Sequence, residues 1–301
     1  MPSTEPQTRT NWGRWGPADE IGALNLISNE RTREATQLVK SGRVVSLGRP
    51  LRHDLPRVAD RTGPTHVLTV DGGDYAAGAV GAAGAYFADD FIAMPVGTGT
   101  HIDALAHAWS PAGLYNGHDP NTVRSRGARR CGIDKIPGIA TGGVLADICR
   151  LHDVTALPPS HLITPAELEA ATAGAGTPAG AGDALLIRTG WLTPENLEGR
   201  DRSTLEREEP GIGHDAADWI ADRDIALVGA DNMGVEVFPE EDPALRTPIH
   251  VQLISRLGVH LIELLDLEEL AELRPERFLF VLAPLRIHGG VNSPVNPLAI
   301  L

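Results

Sequence analysis

Cysteine is nearly missing from this chain: Cys131 and Cys149 are the only two in 301 residues. That excludes a disulfide framework and makes a cysteine metal site a poor expectation. Aromatic residues are sparse at 4%, although five of them are tryptophan. No stretch approaches the about 18 uninterrupted apolar residues that a membrane helix needs, so no membrane partner is expected. The opening MPSTEPQTRTNWGRWG has no apolar signal-peptide core. Basic side chains are outnumbered 26 to 40, for a net charge of -14. Phosphate contacts require clustered Lys and Arg, and this balance argues against a nucleic-acid partner. What is present is ordinary for a folded chain, 42% hydrophobic and 22% charged, and long enough to bury a substantial core. A cytoplasmic enzyme acting on a small molecule is the expectation.

The most informative run is PVGTGTHIDALAHAW, Pro95 to Trp109, which holds His101, Asp103 and His107. In an extended segment His101 and Asp103 point to one side, because side chains alternate with period two. If the chain turns helical after Asp103, His107 follows four residues later on the same face. Imidazole nitrogen with carboxylate oxygen suits zinc, manganese or iron. The competing reading is a polar loop whose histidines bond only to backbone.

This run resembles the H-x-G-T-H-x-D-x-P/L-x-H signature of the metal-dependent cyclase family, which includes bacterial kynurenine formamidase and isatin hydrolase. Gly99, Thr100, His101, Asp103 and His107 match the signature, and Gly97 stands where it has its first histidine. Downstream, His250 in HVQLI and Glu263 in GVHLIELLDL resemble the second element of the family site. Asp231 in VGADNMGVEVFP and the closing HGGVNSPVNPLAI also look like family segments. The resemblance runs from about Asn11 onward.

Its implications are specific. The fold would be α/β, a swivelling β/β/α-type layered domain with a small barrel-like mixed sheet flanked by helices. Residues 1–301 would form one cyclase-family domain with an N-terminal arm over 1–28. His101, Asp103, His250 and Glu263 would hold a metal, and His107 would transfer protons. The missing histidine at Gly97 points to one divalent ion per chain, Zn2+ or Mn2+, rather than two. The substrate would be a small aromatic formamide, lactam or lactone, opened at its acyl C–N or C–O bond. A lyase or cyclase, or a metal-containing binding protein without turnover, is the alternative. Family members are commonly dimers or tetramers, so a homo-oligomer is expected, with Trp12 and Trp15 of the arm reaching a neighbouring subunit.

The residues themselves add detail. Asn29 offers an N-cap for a helix to about Lys40, ended by Gly42. Strands are predicted over 43–47, 66–70, 91–96, 143–149, 183–188, 225–228, 259–264 and 278–283. Helices are predicted from the Thr164–Glu167 capping box, over 214–222 and over 243–257. Between His66–Val70 and Phe91–Val96 lies the Ala/Gly-rich YAAGAVGAAGAYF, which reads as a flap or a solvated loop. In the 259–264 strand Glu263 shares a face with Val259 and Leu261, where a carboxylate is costly unless it is paired or holds a cation; a salt bridge to Arg256 is the competing explanation. Trp109 and Tyr115 could wall a planar substrate, or simply pack. His118 and His288 read as loop residues near the site. His53, His66, His152, His161 and His214 have no partner at an informative spacing. Gly97–His101 and Gly229–Gly234 both miss the dinucleotide glycine spacing, and no G-x-S-x-G elbow exists, which disfavours nicotinamide and serine-nucleophile chemistry.

Overall fold

In a computed structural model the structure describes residues 9–56, 61–81, 84–173, 178–200, 205–241 and 247–301. Four apolar runs, Ile139–Asp147, Ala184–Arg188, Leu227–Ala230 and His260–Glu263, lie side by side in parallel at the centre of a nine-stranded sheet. Their near-continuous hydrophobicity suits strands covered on both faces. Antiparallel strands extend the sheet both ways. Phe278–Leu282, Leu298–Ile300 and Val44–Ser46 continue from Ile139–Asp147. His101–Asp103 and then Asn292–Pro294 continue from His260–Glu263. The sheet curls into a half-barrel flanked by helices, so the α/β barrel-like expectation holds.

Alternation sorts the core into two packed layers. Val144, Leu185, Ile187, Val228 and Leu261 pack on one face with the helices His214–Asp222 and Pro248–Leu257. Leu145, Leu186, Leu227, Ile262 and Phe280 fill the other. Both cysteines are buried and unpaired, and burial pushes each thiol up to about 12.

Most predicted elements lie within a few residues of their observed bounds. The 214–222 helix matches throughout, and the Thr164–Glu167 capping box opens the helix Pro165–Ala173. The first helix differs: Ser28, not Asn29, accepts the capping bond from Arg31, and the helix stops at Thr36. The helix predicted over 243–257 begins at Pro248, and from Val251 to Leu257 it is wound as a wide π-type helix; residues 243–246 of that expectation lie outside the described residues.

The described part of the arm, residues 9–28, folds back on its own chain. The last carbonyls of a helix have no partner within it. Here Asn11 donates its backbone N–H to Arg256 O and its side chain to Leu257 O, each at 2.9 Å, and the Trp12 indole donates to Ser255 O at 2.7 Å. Both tryptophans pack against the core, and Arg14 pairs with Asp224. The arm caps the helix that carries His250. Among the described residues no helix is long and apolar enough to cross a membrane.

Candidate metal centre

Strand register assembles the centre. His101 pairs with Glu263 on one side and Pro294 on the other, while Asp103 pairs with Asn292. Residues directly opposite share a face, and 101 and 103 share it by alternation. His101, Asp103, Glu263 and Asn292 therefore all project to one side of the sheet edge. His250 comes down on them from the crossover helix between the Leu227–Ala230 and His260–Glu263 strands.

The distances show convergence. His101 Nε2 lies 3.2 Å from Glu263 Oε2 and 3.7 Å from Asp103 Oδ1. His250 Nε2 lies 3.0 Å from Glu263 Oε1 and 3.9 Å from Asp103 Oδ2. His107 Nε2 is also 3.9 Å from Asp103 Oδ2. It arrives by a tight turn, with its N–H bonded to Ala104 O at 2.9 Å, and not on the helix that sequence spacing allowed for. Two overlapping groups thus have the ligand types and spacing to hold an ion: His101, Asp103 and Glu263, and Asp103, His107 and His250.

Each inner histidine is oriented from behind. His101 Nδ1 bonds to Gly99 O at 2.8 Å, turning Nε2 inward. His250 Nδ1 meets the carboxylate of Glu236, which also accepts the backbone N–H of Ile249 at 3.1 Å. A carboxylate or carbonyl on the outer nitrogen is the usual device for fixing the tautomer of a metal-binding histidine. The side-chain amide of Asn292 donates to Asp103 and lies 3.2 Å from His107 Nδ1.

The electrostatics describe a buried knot of negative charge. Burial pulls the imidazoles of His101 and His250 down, but the carboxylates outweigh it and both sit above the ordinary histidine value, His250 well above. Burial pushes Glu263 up, and the two histidines overcome it and hold it well below the carboxylate range. The Arg256 alternative for Glu263 gives way to these partners. Glu209, buried a short distance behind, accepts backbone N–H groups from Met233 and Gly234; burial and the nearby charges of Glu263 and Glu236 raise it well above the usual value. His107 differs from the rest. Its side chain is 25% exposed while His101 and Asp103 are 0%, and burial lowers its pKa so that it is neutral near pH 7.

The remaining expected residues fall elsewhere. Tyr115 is fully buried; its hydroxyl donates to Asp19 at 2.9 Å and its ring packs where a Cβ on Gly258 would lie, so it offers no face to a ligand. Trp109 is exposed. His118 bonds to Asp19 O, and His288 points to solvent near Asp134. Asp231 binds the 189–190 turn through Thr189 and Gly190. The 97 position does border the centre: a Cβ built on Gly97 would lie 3.2 Å from His101 Nε2 and 2.7 Å from Arg61 Nη1. Arg61 donates to Gly97 O, so a guanidinium stands beside the space that a side chain at 97 would take. Sequence reasoning did not reach Glu236, Asn292 or Glu209, although the first two lie inside the VGADNMGVEVFP and HGGVNSPVNPLAI segments already singled out.

With this geometry in place, the family profile for cyclases matches residues 45–237. The chain belongs to the cyclase family. It is 28% identical over 212 residues to "Cyclase-like protein 2" of Oryza sativa subsp. japonica, covering 69% of this chain and 63% of that protein. The match to "Cyclase-like protein 3" of the same plant is 25% over 213 residues, with the same coverage. The chain thus spans somewhat less than two thirds of these curated relatives. A crystal structure described as a novel cyclase superposes with a TM-score of 0.91 at 37% identity, covering 97% of this chain and 98% of that one. Isatin hydrolase A from Labrenzia aggregata, bound to benzyl benzoate, shares the fold at a TM-score of 0.63 and 22% identity, with 88% and 94% covered.

Proposed function

We propose that this cyclase-family chain is a metal-dependent hydrolase that opens an acyl C–N or C–O bond of a small aromatic formamide, lactam or lactone. The observation that carries this reading is a pair of orphaned ligand atoms. Asp103 Oδ2 is buried without a hydrogen bond, and His101 Nε2 is buried with only the ion-pair approach of Glu263 Oε2 at 3.2 Å and no well-formed hydrogen bond; a buried polar group left unsatisfied costs about 1–3 kcal/mol. Both face the space they share with His250 and Glu263. A divalent cation, Zn2+ or Mn2+, fits that donor set, held by His101, Asp103, His250 and Glu263. One ion per chain is supported by Arg61, whose positive charge borders the space beside Gly97 and opposes a second cation there. The fold's likeness to isatin hydrolases supports a cyclic amide as one substrate class.

When bound, such an ion supplies Lewis acidity to an acyl oxygen and to a water. The protein's own groups do the rest. Glu236 and Gly99 O keep the outer nitrogens of His250 and His101 protonated, so that their Nε2 lone pairs face inward. His107, neutral near pH 7 and the most exposed of the three histidines, takes a proton from the attacking water and returns it to the departing nitrogen or oxygen. A second reading, favoured by the grouping of His107 with Asp103 and His250, makes His107 a ligand.

The reading includes a homodimer or tetramer. The hairpin Thr65–Val70 with Asp89–Ala93 exposes Val67, Leu68, Phe91 and Ile92. A lone two-stranded hairpin is not stable in water, which supports a second copy covering it. The chemistry is tested by turnover of a panel of formamides, lactams and lactones, with and without chelator, in isotopically labelled water. Label in the product, abolished by chelator and restored by metal, is the expected result. Turnover without label points to the lyase alternative, and no turnover by the metal-loaded protein on any class sinks the hydrolase.

A further inference from the structure

A second cluster with metal-binding character lies away from the centre. His152 ends the short helix Ile148–Leu151, His161 precedes the strand Leu162–Ile163, and Glu167 lies in the first turn of the helix Pro165–Ala173. Nothing in their spacing announced a partnership. The fold nevertheless aims both imidazoles at one carboxylate oxygen: His152 Nε2 is 2.6 Å and His161 Nε2 2.8 Å from Glu167 Oε1. The two rings stand edge to face, 5.1 Å apart.

Glu167 is fixed independently of the histidines. Its other oxygen, Oε2, accepts the backbone N–H and the hydroxyl of Thr164, both at 2.7 Å. Oε1 is thereby left pointing outward. His161 is anchored through its backbone, its carbonyl accepting Gly211 N–H at 3.0 Å and its N–H bonded to Pro158 O at 3.2 Å. His152 N–H bonds to Ile148 O at 3.2 Å. Three donors of the right kind are therefore held at one point, with solvent on the open side: His152 is the most exposed and Glu167 the least.

We infer that His152, His161 and Glu167 form a peripheral site for a borderline transition cation such as Zn2+, Ni2+ or Co2+. Two imidazoles and a carboxylate with open positions are a recognised donor set for such ions and a poor one for Mg2+ or Ca2+. At metal–ligand distances of about 2.0–2.2 Å the two Nε2 atoms need move from Oε1 by only about half an ångström, which half-exposed side chains permit. The adjacent helix N-terminus opposes a cation with roughly half a charge, and the full charge of Glu167 outweighs it. The bound ion ties three segments together. One of them pairs with residues 208–211, through Ser160 N–H to Glu208 O at 2.7 Å and Gly211 N–H to His161 O, and that stretch carries Glu209 to the main centre. The site is thus a brace on the wall behind His250.

The test is a calorimetric titration of Zn2+ into protein whose main centre has been loaded and freed of excess metal by dialysis. Wild type is expected to take up one further equivalent; His152→Ala and His161→Ala are expected to show no saturable uptake in the same range, while keeping the first ion and wild-type turnover. Co2+ in place of Zn2+ reports the same step by its visible absorption, Mg2+ does not compete, and added Zn2+ raises the unfolding temperature of wild type only. Absence of a further equivalent in wild type, or equal uptake by wild type and both variants, overturns the site. Retention of the first ion by each variant reports that it is folded. The result does not depend on whether the main centre is hydrolytic.

Discussion

Glu236→Gln separates orientation of His250 as the proposed metal ligand from simple packing. The carboxylate serves three N–H groups: the His250 ring nitrogen, the His250 backbone at 3.3 Å and the Ile249 backbone at 3.1 Å. Glutamine keeps the volume but has one oxygen and one amide NH2. With its oxygen toward His250, its NH2 faces the Ile249 N–H and leaves that buried donor unpaired, a cost of about 1–3 kcal/mol. Relief of repulsion with Glu209 offsets part of this. Loss of the negative charge behind His250 should also weaken metal binding about 10- to 100-fold, or about 1.4–2.8 kcal/mol. The two effects are read separately. Urea unfolding of chelator-treated protein gives the first, and competition against a chromophoric chelator gives the second. A variant that loses stability yet binds metal as tightly as wild type would refute the orienting role of Glu236.

Three further outcomes are expected. His107→Ala should retain metal and lose turnover by roughly 100-fold or more, whereas His101→Ala should lose both; metal content and steady-state rates decide, and an empty centre in His107→Ala would make His107 a ligand. His260 is buried with Nδ1 unpartnered, and burial pushes it down from 6.5 to about 3; between those values the unfolded chain binds the extra proton, so its contribution is complete above about 6.5 and falls by up to about 1.4 kcal/mol per pH unit on acidification. His260→Gln should flatten unfolding free energy against pH over that window, and parallel curves for the two proteins would contradict the assignment. Trp12→Ala should lower stability by about 1–3 kcal/mol through loss of the indole bond to Ser255 O and of packing, while light scattering shows an unchanged assembly mass; a fall in mass would put Trp12 at a subunit interface.

The parts of this protein legible in its sequence are those fixed by short-range pattern. Alternation placed His101 and Asp103 on one side, and the apolar runs Asp183–Arg188 and Val259–Leu264 gave two of the central strands nearly to the residue. The family motifs brought His250 and Glu263 to the same centre. What was hidden depends on register and crossover. Asn292 reaches Asp103 only because two distant edge strands pair at that position. Glu236 meets His250 across a segment with no periodicity. His152 and His161 have no partner at an informative spacing in the sequence, and they meet on Glu167 because a turn brings them there. Tyr115 reads in sequence either as a wall for a planar substrate or as packing, and it is a core residue; nothing in YNG distinguishes a ring facing a ligand from one packed under Gly258.

The most direct measurement is elemental analysis of purified, extensively dialysed protein carrying His152→Ala and His161→Ala, so that only the main centre is counted. The account predicts one divalent ion per chain, lost together with turnover on chelation and in His250→Ala. Two tightly held ions would contradict the role given to Gly97 and Arg61, and none after reconstitution would contradict the metal centre itself.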